Sequence, residues 1–275
     1  MDDAYTFIYV PGAGGGGEHD IALFASGLDH QIRFETLRYP GWQRYVEENF
    51  SINDLVSELA AEVIRKVPTG PIRILGLSIG GHFGYAVGLL LEQMGREVSL
   101  FCAIDSFMVA SSEPRAGWQA RAIADAFDLL KKGRFGDFAR LLRSKGWRMV
   151  LRLAGGRLAG QLRRFSTNGQ LPAMFAGDAV AEEELSMRLL LREATSWITR
   201  LDHDPKELAA PAMLLRTQAS ACYDEAWRGR CPRMIIREVP GKHLTLFESE
   251  NIGSLRRAFE EAAGQLETFP QTETP

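Results

Sequence analysis

The stretch Ile72-Arg73-Ile74-Leu75-Gly76-Leu77-Ser78-Ile79-Gly80-Gly81 is apolar apart from Arg73 up to Leu77 and then small apart from Ile79. A short run rich in Ile and Leu reads as a buried strand of a parallel sheet. Beyond Ser78, the apolar residues Phe83, Val87 and Leu90, running toward Met94, recur at helical spacing. Gly76 to Gly80 fits G-x-S-x-G, and a strand before with a helix after is the context that pattern requires. The serine of such a corner holds a strained backbone, and the positions two before and two after it must be small for strand and helix to pack closely. Gly76 and Gly80 meet this condition, and Gly81 adds room. The helix N-terminus also aims its dipole and N–H groups at the site. Ser78 is the candidate nucleophile.

Working outward, further strands are predicted near Thr6–Val10, Ile32–Leu37, Ser99–Ile104, Ala212–Arg216 and Arg233–Val239, alternating with helical periodicity. Ser51 and Asp54 make a capping box ahead of a stripe of Leu55, Leu59, Val63 and Ile64. A last helix is expected over about Ile252–Leu266, followed by a polar tail, Phe269–Pro275, that should fray. The expectation is therefore an α/β fold, a mostly parallel sheet of about six strands flanked by helices. Its rhythm breaks between Ser106 and Ala210, where the periodicity is helical only. A gap of that length is too long for a connection and predicts an inserted helical lid after the strand that ends at Asp105. The expected organisation is core residues 1–106, insertion 107–205 and core 206–275. Within the insertion, residues 115–164 carry thirteen Lys or Arg against three Asp. They are either the solvated faces of amphipathic helices or a surface that steers an acidic partner.

A chain of 275 residues with 45% apolar and 24% charged residues has ordinary globular composition, which excludes a disordered or collagen-like polymer. The formal net charge of −3 argues against broad capture of nucleic acid. Cys102, Cys222 and Cys231 are too few and scattered for a disulfide framework or zinc site. Cys102, inside an apolar run, reads as a buried thiol in a reducing compartment. The acidic start Met1-Asp2-Asp3 lacks the cationic region of a signal peptide. No apolar stretch approaches the roughly 20 residues that span a bilayer. The expectation is a cytoplasmic protein with neither membrane nor nucleic acid as partner.

The glycine run Pro11-Gly12-Ala13-Gly14-Gly15-Gly16-Gly17 follows the first strand. Gly12, Gly14 and Gly17 satisfy G-x-G-x-x-G, and Glu35 lies near the place of a ribose-binding acid, so a dinucleotide site competes. In so glycine-rich a run the pattern arises almost by chance. Glu35 also falls inside the second strand rather than at its tip, and no Tyr-x-x-x-Lys pair is present. A simple flexible turn is a third reading. The reading that fits Ser78 is an oxyanion loop, whose backbone N–H groups face charge developing on a carbonyl oxygen.

A serine nucleophile needs a base, and the base an orienting acid, in the chain order Ser, Asp or Glu, His. Five histidines exist. His19 and His30 precede Ser78, and His82 lies one turn into its helix, where packing is expected. His203, in Leu201-Asp202-His203-Asp204-Pro205, reads as a polar surface loop with a remote prospect of metal binding. His243, in Pro240-Gly241-Lys242-His243-Leu244 after the last strand, is the candidate base. Asp105 ends the strand after the Ser78 helix, whereas Thr217-Gln218-Ala219-Ser220 after the next strand offers no carboxylate before Asp224. Asp105 is the candidate acid, with a helix cap as its bland alternative.

With these residues in hand, the chain resembles the terminal (type I) thioesterase domains of nonribosomal peptide and polyketide synthases, in the α/β-hydrolase superfamily. The resemblance covers nearly the whole chain. It rests on Gly76–Gly81 around Ser78, Ile104-Asp105-Ser106 twenty-seven residues later, Tyr39-Pro40-Gly41, and Pro240-Gly241-Lys242-His243. An acid on the strand beside the elbow, with a long helical insertion directly after it, is the most discriminating feature. The chain departs from the family in having Val10-Pro11 where His-Pro is frequent, which leaves the oxyanion amide to Gly12 or Ala13, together with Ile79. With only five residues before the first strand, the wider fold's leading antiparallel strands are expected to be absent. With no carrier domain in view, a discrete enzyme and an excised domain stay equally open.

The resemblance implies an acyl-Ser78 intermediate formed from a thioester on the phosphopantetheine arm of an acyl or peptidyl carrier protein. Water would release an acid, and an internal amine or hydroxyl a ring. The substrate would be a small-molecule or peptidyl thioester, and no cofactor or metal is expected. A carboxylesterase or lactonase acting on free esters is the rival within enzymes. A hydrolase fold kept only for binding is the rival from another class. An esterase should prefer oxygen esters, and a binder should turn over neither.

Overall fold

The computed structural model describes residues 5–12, 17–28, 32–46, 50–106, 146, 179–203 and 205–267. Six strands form one parallel sheet: β1 (Tyr5–Val10), β2 (Ile32–Thr36), β3 (Ile72–Leu77), β4 (Val98–Ile104), β5 (Ala212–Arg216) and β6 (Met234–Glu238). They lie in the order β2-β1-β3-β4-β5-β6. The helices are α1 (Gly17–Ala25), α2 (Ile52–Lys66), α3 (Ile79–Gln93), α4 (Ala179–His203), α5 (Asp224–Arg230) and α6 (Ile252–Glu267), with short 3-10 turns at Arg44–Val46 and Gln218–Tyr223. All six expected strands are present, with ends within a residue of their predicted positions. The chain moves outward from β1 to β2, then returns to β3 on the other side of β1. The ends of β1 and β3 thus flank a topological switch point, where crevices open in parallel α/β sheets.

Period-two alternation divides each strand's side chains between two apolar layers. Phe7, Tyr9, Leu75, Cys102, Ile104, Met213 and Leu215 join Ile21 and Phe24 of α1 and Leu255, Phe259 and Ala262 of α6 in one cluster. Within it the Phe24 and Phe259 rings meet edge to face at 5.5 Å, the arrangement the ring quadrupoles favour. On the other face α3 lies so close that Gly84 sits among Val10, Ile74 and Phe101. Helix α2 starts directly after Ser51, as the capping box predicts, and buries Leu55, Leu59 and Val63.

The chain divides into two compact units: Met1–Arg38, Asn53–Met108 and Ile198–Pro275 in one, Tyr39–Ile52 and Val109–Trp197 in the other. In the second, the Tyr45 and Phe50 rings lie 5.6 Å apart and the Arg44 guanidinium stands 4.6 Å above Phe50. Most of the expected insertion, including the basic stretch 115–164 apart from Gly146, lies outside the described residues, as does the tail from Thr268. The described end of that span is α4, a helix of 25 residues whose buried stripe includes Ala181, Leu185, Leu189, Ala194 and Ile198. Among the described residues no helix is long and apolar enough to cross a membrane.

Candidate active site

Ser78 joins β3 to α3 with φ 56° and ψ −123°, a conformation rare for any residue with a Cβ. The surrounding backbone holds it there. Its N–H donates to Ile104 O (2.9 Å), and its carbonyl accepts from Gly81 N–H (3.0 Å). The glycines answer the steric demand read from the motif. A Cβ at Gly76 would lie 2.5 Å from Gly81 Cα, and one at Gly80 would lie 2.5 Å from Pro11 O, both backbone atoms with nowhere to go. The loop after β1 also lies against the elbow: a Cβ at Gly12 would stand 3.3 Å from Ser78 Cβ. Gly12 and Ile79, two of the three expected oxyanion donors, thus flank Ser78 in space and in sequence. Ala13, the third, lies outside the described residues.

Asp105 follows β4 directly. Leu77 and Ile104 are register partners, so Ser78 and Asp105 leave adjacent strands side by side, strands that run about 4.8 Å apart. Asp105 is itself left-handed (φ 42°) and its N–H donates to Leu215 O at 2.7 Å. His243 follows β6 in a small loop that turns at Gly241 and is closed by Thr245 N–H donating to Lys242 O (2.8 Å). That loop brings His243 Nδ1 to 2.7 Å from Asp105 Oδ2 across 138 residues of sequence. The Asp105 side chain is 1% exposed and that of His243 31%, so the pair runs from the interior to the surface.

The other Asp105 oxygen, Oδ1, accepts from Thr217 N–H (2.9 Å), Thr217 Oγ1 (3.0 Å) and Ser220 Oγ (2.8 Å). Burial alone would raise this carboxyl. The bonds from His243, Thr217 and Ser220 outweigh it and hold Asp105 below the ordinary aspartate value. An ionised carboxylate only accepts hydrogen bonds, so the proton between the pair sits on His243 Nδ1, which leaves Nε2 as the ring nitrogen free to exchange a proton with a nucleophile. The capping alternative for Asp105 gives way here, since its oxygens serve the loops after β5 and β6.

Thr217 and Ser220 were not singled out from sequence; a hydroxyl pair three residues apart after a strand is the faint signal they left. His82 is buried on α3 as expected, its ring 5.3 Å from Trp227. Trp227 in turn donates Nε1–H to Ser106 O at 2.8 Å, beside Asp105. His203 departs from its reading. It occupies the last turn of α4, with Nδ1 2.7 Å from Thr199 O, and not a surface loop. The helical pattern of Leu190, Ala194 and Trp197 continues through Leu201, which outweighed the polar look of Asp202-His203-Asp204. Among the described residues no group of three His, Cys, Asp or Glu could hold a metal.

A sequence model of the thioesterase domain matches residues 6–262. The chain belongs to the thioesterase domain family. The chain has the α/β-hydrolase fold of several solved structures. It matches the NocB thioesterase domain in covalent complex with a fluorophosphonate nocardicin G analog (TM-score 0.57, 19% identity, 95% of each chain). It also matches the wild-type Vlm2 thioesterase domain (TM-score 0.58, 14% identity, 93% of this chain and 91% of that one). Within AB3403, a four-domain nonribosomal peptide synthetase, the match takes in 97% of this chain and 20% of the larger one (TM-score 0.59, 17% identity). By sequence, 115 residues are 32% identical to the inactive atromentin synthetase invA4 of Paxillus involutus. That match is 41% of this chain, which spans only 11% of the relative's length.

Proposed function

We propose that the protein is a serine thioesterase that releases an acyl or peptidyl chain from a carrier protein through an acyl-Ser78 intermediate. The observation that carries the reading is the Asp105–His243 pair, closed at 2.7 Å on the strand end next to the strained Ser78. His243 Nε2 takes the Ser78 hydroxyl proton as Oγ attacks the thioester carbonyl carbon. The oxyanion is held by the N–H of Ile79, the first residue of α3, and by an amide of the loop at Gly12 and Ala13. When the C–S bond breaks, the thiolate leaves with the proton from His243 and the acyl group stays on Ser78. Water, or an amine or hydroxyl of the acyl chain itself, then attacks the ester carbonyl as His243 takes its proton. The acyl C–Oγ bond breaks and His243 returns that proton to Ser78 Oγ. A dry acyl site favours the ring and a wet one the acid. The proton and charge steps are all met by side chains and backbone, so the reaction needs no metal or redox cofactor.

Similarity to nonribosomal peptide synthetase thioesterase domains supports a phosphopantetheine thioester on a carrier protein as substrate, and hence a cytoplasmic setting. The intact Ser78, Asp105 and His243 set supports catalysis over a binding role, whatever the name of the fungal relative says of that protein.

The test is intact-protein mass spectrometry after mixing with a short acyl thioester that mimics the end of the arm. Wild type should gain one acyl group and Ser78→Ala none, with turnover falling by three or more orders of magnitude. Acylation of the Ser78→Ala protein would sink the assignment. Faster turnover of the matched oxygen ester would move the protein to the carboxylesterases.

A further inference from the structure

We propose that Thr217 and Ser220 are positioning residues, which clamp the Asp105 carboxylate by Oδ1 so that Oδ2 is left to His243. The proposal rests on the catalytic reading of Ser78, Asp105 and His243. Thr217 and Ser220 are buried, and both hydroxyls end on the same oxygen of a residue 112 and 115 positions away. They open one 3-10 turn, Gln218–Tyr223, which starts where β5 stops beside β4. With Asp105 N–H tied to Leu215 O, backbone and carboxylate of the acid are both fastened to the β5 side. Turning the carboxylate plane to follow a displaced imidazole would break three hydrogen bonds at once.

The clamp also governs where the proton sits. If Asp105 held a proton, it would donate to His243 Nδ1, and the imidazole would then carry its own proton on Nε2. An imidazole in that form has no lone pair facing Ser78 and cannot act as its base. Burial pushes Asp105 toward that state, and the Thr217 amide and the Ser220 hydroxyl on Oδ1 oppose it together with His243. The Thr217 hydroxyl, 3.0 Å from the same oxygen, is a third donor to the ionised form. Among the described residues His243 is the titratable group acting on Asp105. Arg216 on β5 is paired with Asp224 and Glu238. On α3 and α5, His82 and Arg230 face each other beside Trp227, and Arg230 pairs with Asp202 of α4. No second carboxylate or cation competes with the hydroxyls for Oδ1 among these.

The test combines titration with kinetics in the full chain. Selective carbon-13 labelling of aspartate carboxyls, with Asp105→Asn for assignment, reads the ionisation of Asp105 by NMR whether or not the protein turns over. Ser220→Ala and Thr217→Val should each move its midpoint up by about one pH unit, the loss of one hydrogen bond to a charged group. Ser220→Thr and Thr217→Ser, which keep a hydroxyl, should restore it. In thioester turnover the same two variants should lower kcat about tenfold with KM unchanged, and the hydroxyl-keeping variants should recover. An unmoved midpoint, or a moved midpoint with unaltered kcat, overturns the proposal. If wild type shows no turnover that depends on Ser78, the thioesterase reading fails, and the titration alone decides the clamp.

Discussion

At the scale of single residues the protein places strain and charge where chemistry needs them. Ser78 and Asp105 are the two described non-glycine residues with positive φ, and they end adjacent strands. Such conformations cost on the order of 1–3 kcal/mol each and persist only where the surroundings enforce them. Ser78→Gly should therefore abolish turnover yet raise stability by about 1 kcal/mol over wild type, because glycine adopts this backbone without penalty. Thermal melting checks it: Ser78→Gly melting below Ser78→Ala would mean the strain is not stored there. Ser78 was legible in the sequence because its demands are local, glycines at fixed offsets between an apolar run and a helical repeat. Thr217 and Ser220 were not, since a hydroxyl pair after a strand acquires meaning only when a carboxylate from another strand meets it.

At the scale of elements the decisive feature is how tightly β3 and α3 meet. Gly76 and Gly80 face backbone atoms, which cannot shift as the end of a flexible side chain can. Gly76→Ala should destabilise by roughly 1–3 kcal/mol or more, as overpacking does, and misplace Ser78 as well. The contrast is Gly253 in the first turn of α6, where an added Cβ meets nothing within 4 Å. Gly253→Ala should stabilise by about 0.5–1 kcal/mol with activity kept. Denaturant unfolding of both variants measures the difference, and equal effects would remove close packing as the reason for glycine at the elbow. Helix α4 teaches the complementary lesson. Its polar final turn reads as loop when taken alone, but the apolar stripe upstream carries the helix through His203.

For the molecule as a whole, the charged residues show most clearly what folding adds. Arg230 is 1% exposed, paired with Asp202 at the end of α4 and stacked near Trp227 and Tyr85, while Tyr85 Oη–H donates to Lys206 O just beyond that helix. Arg230 is the buried partner and Asp202 is 18% exposed, so Asp202→Leu, which takes the carboxylate from the buried guanidinium, should cost about 3–5 kcal/mol, whereas adding Arg230→Met should recover most of it. A double-mutant cycle by denaturant unfolding reads the coupling, and additive losses would mean the pair is not coupled.

The sequence by itself determined the parallel sheet, the order of its elements and the elbow at Ser78. Those follow from side-chain period, backbone sterics and spacing within one strand or one helical turn. Only the tertiary structure decided that Asp105 Oδ2 meets His243, that Thr217 and Ser220 take Oδ1, and that Arg230 is buried against Asp202. Each of those contacts joins side chains that strand order brings to the same place from distant parts of the chain. A carboxylate, a hydroxyl or a guanidinium looks alike in sequence whether it faces water or a partner, and burial is what separates the two.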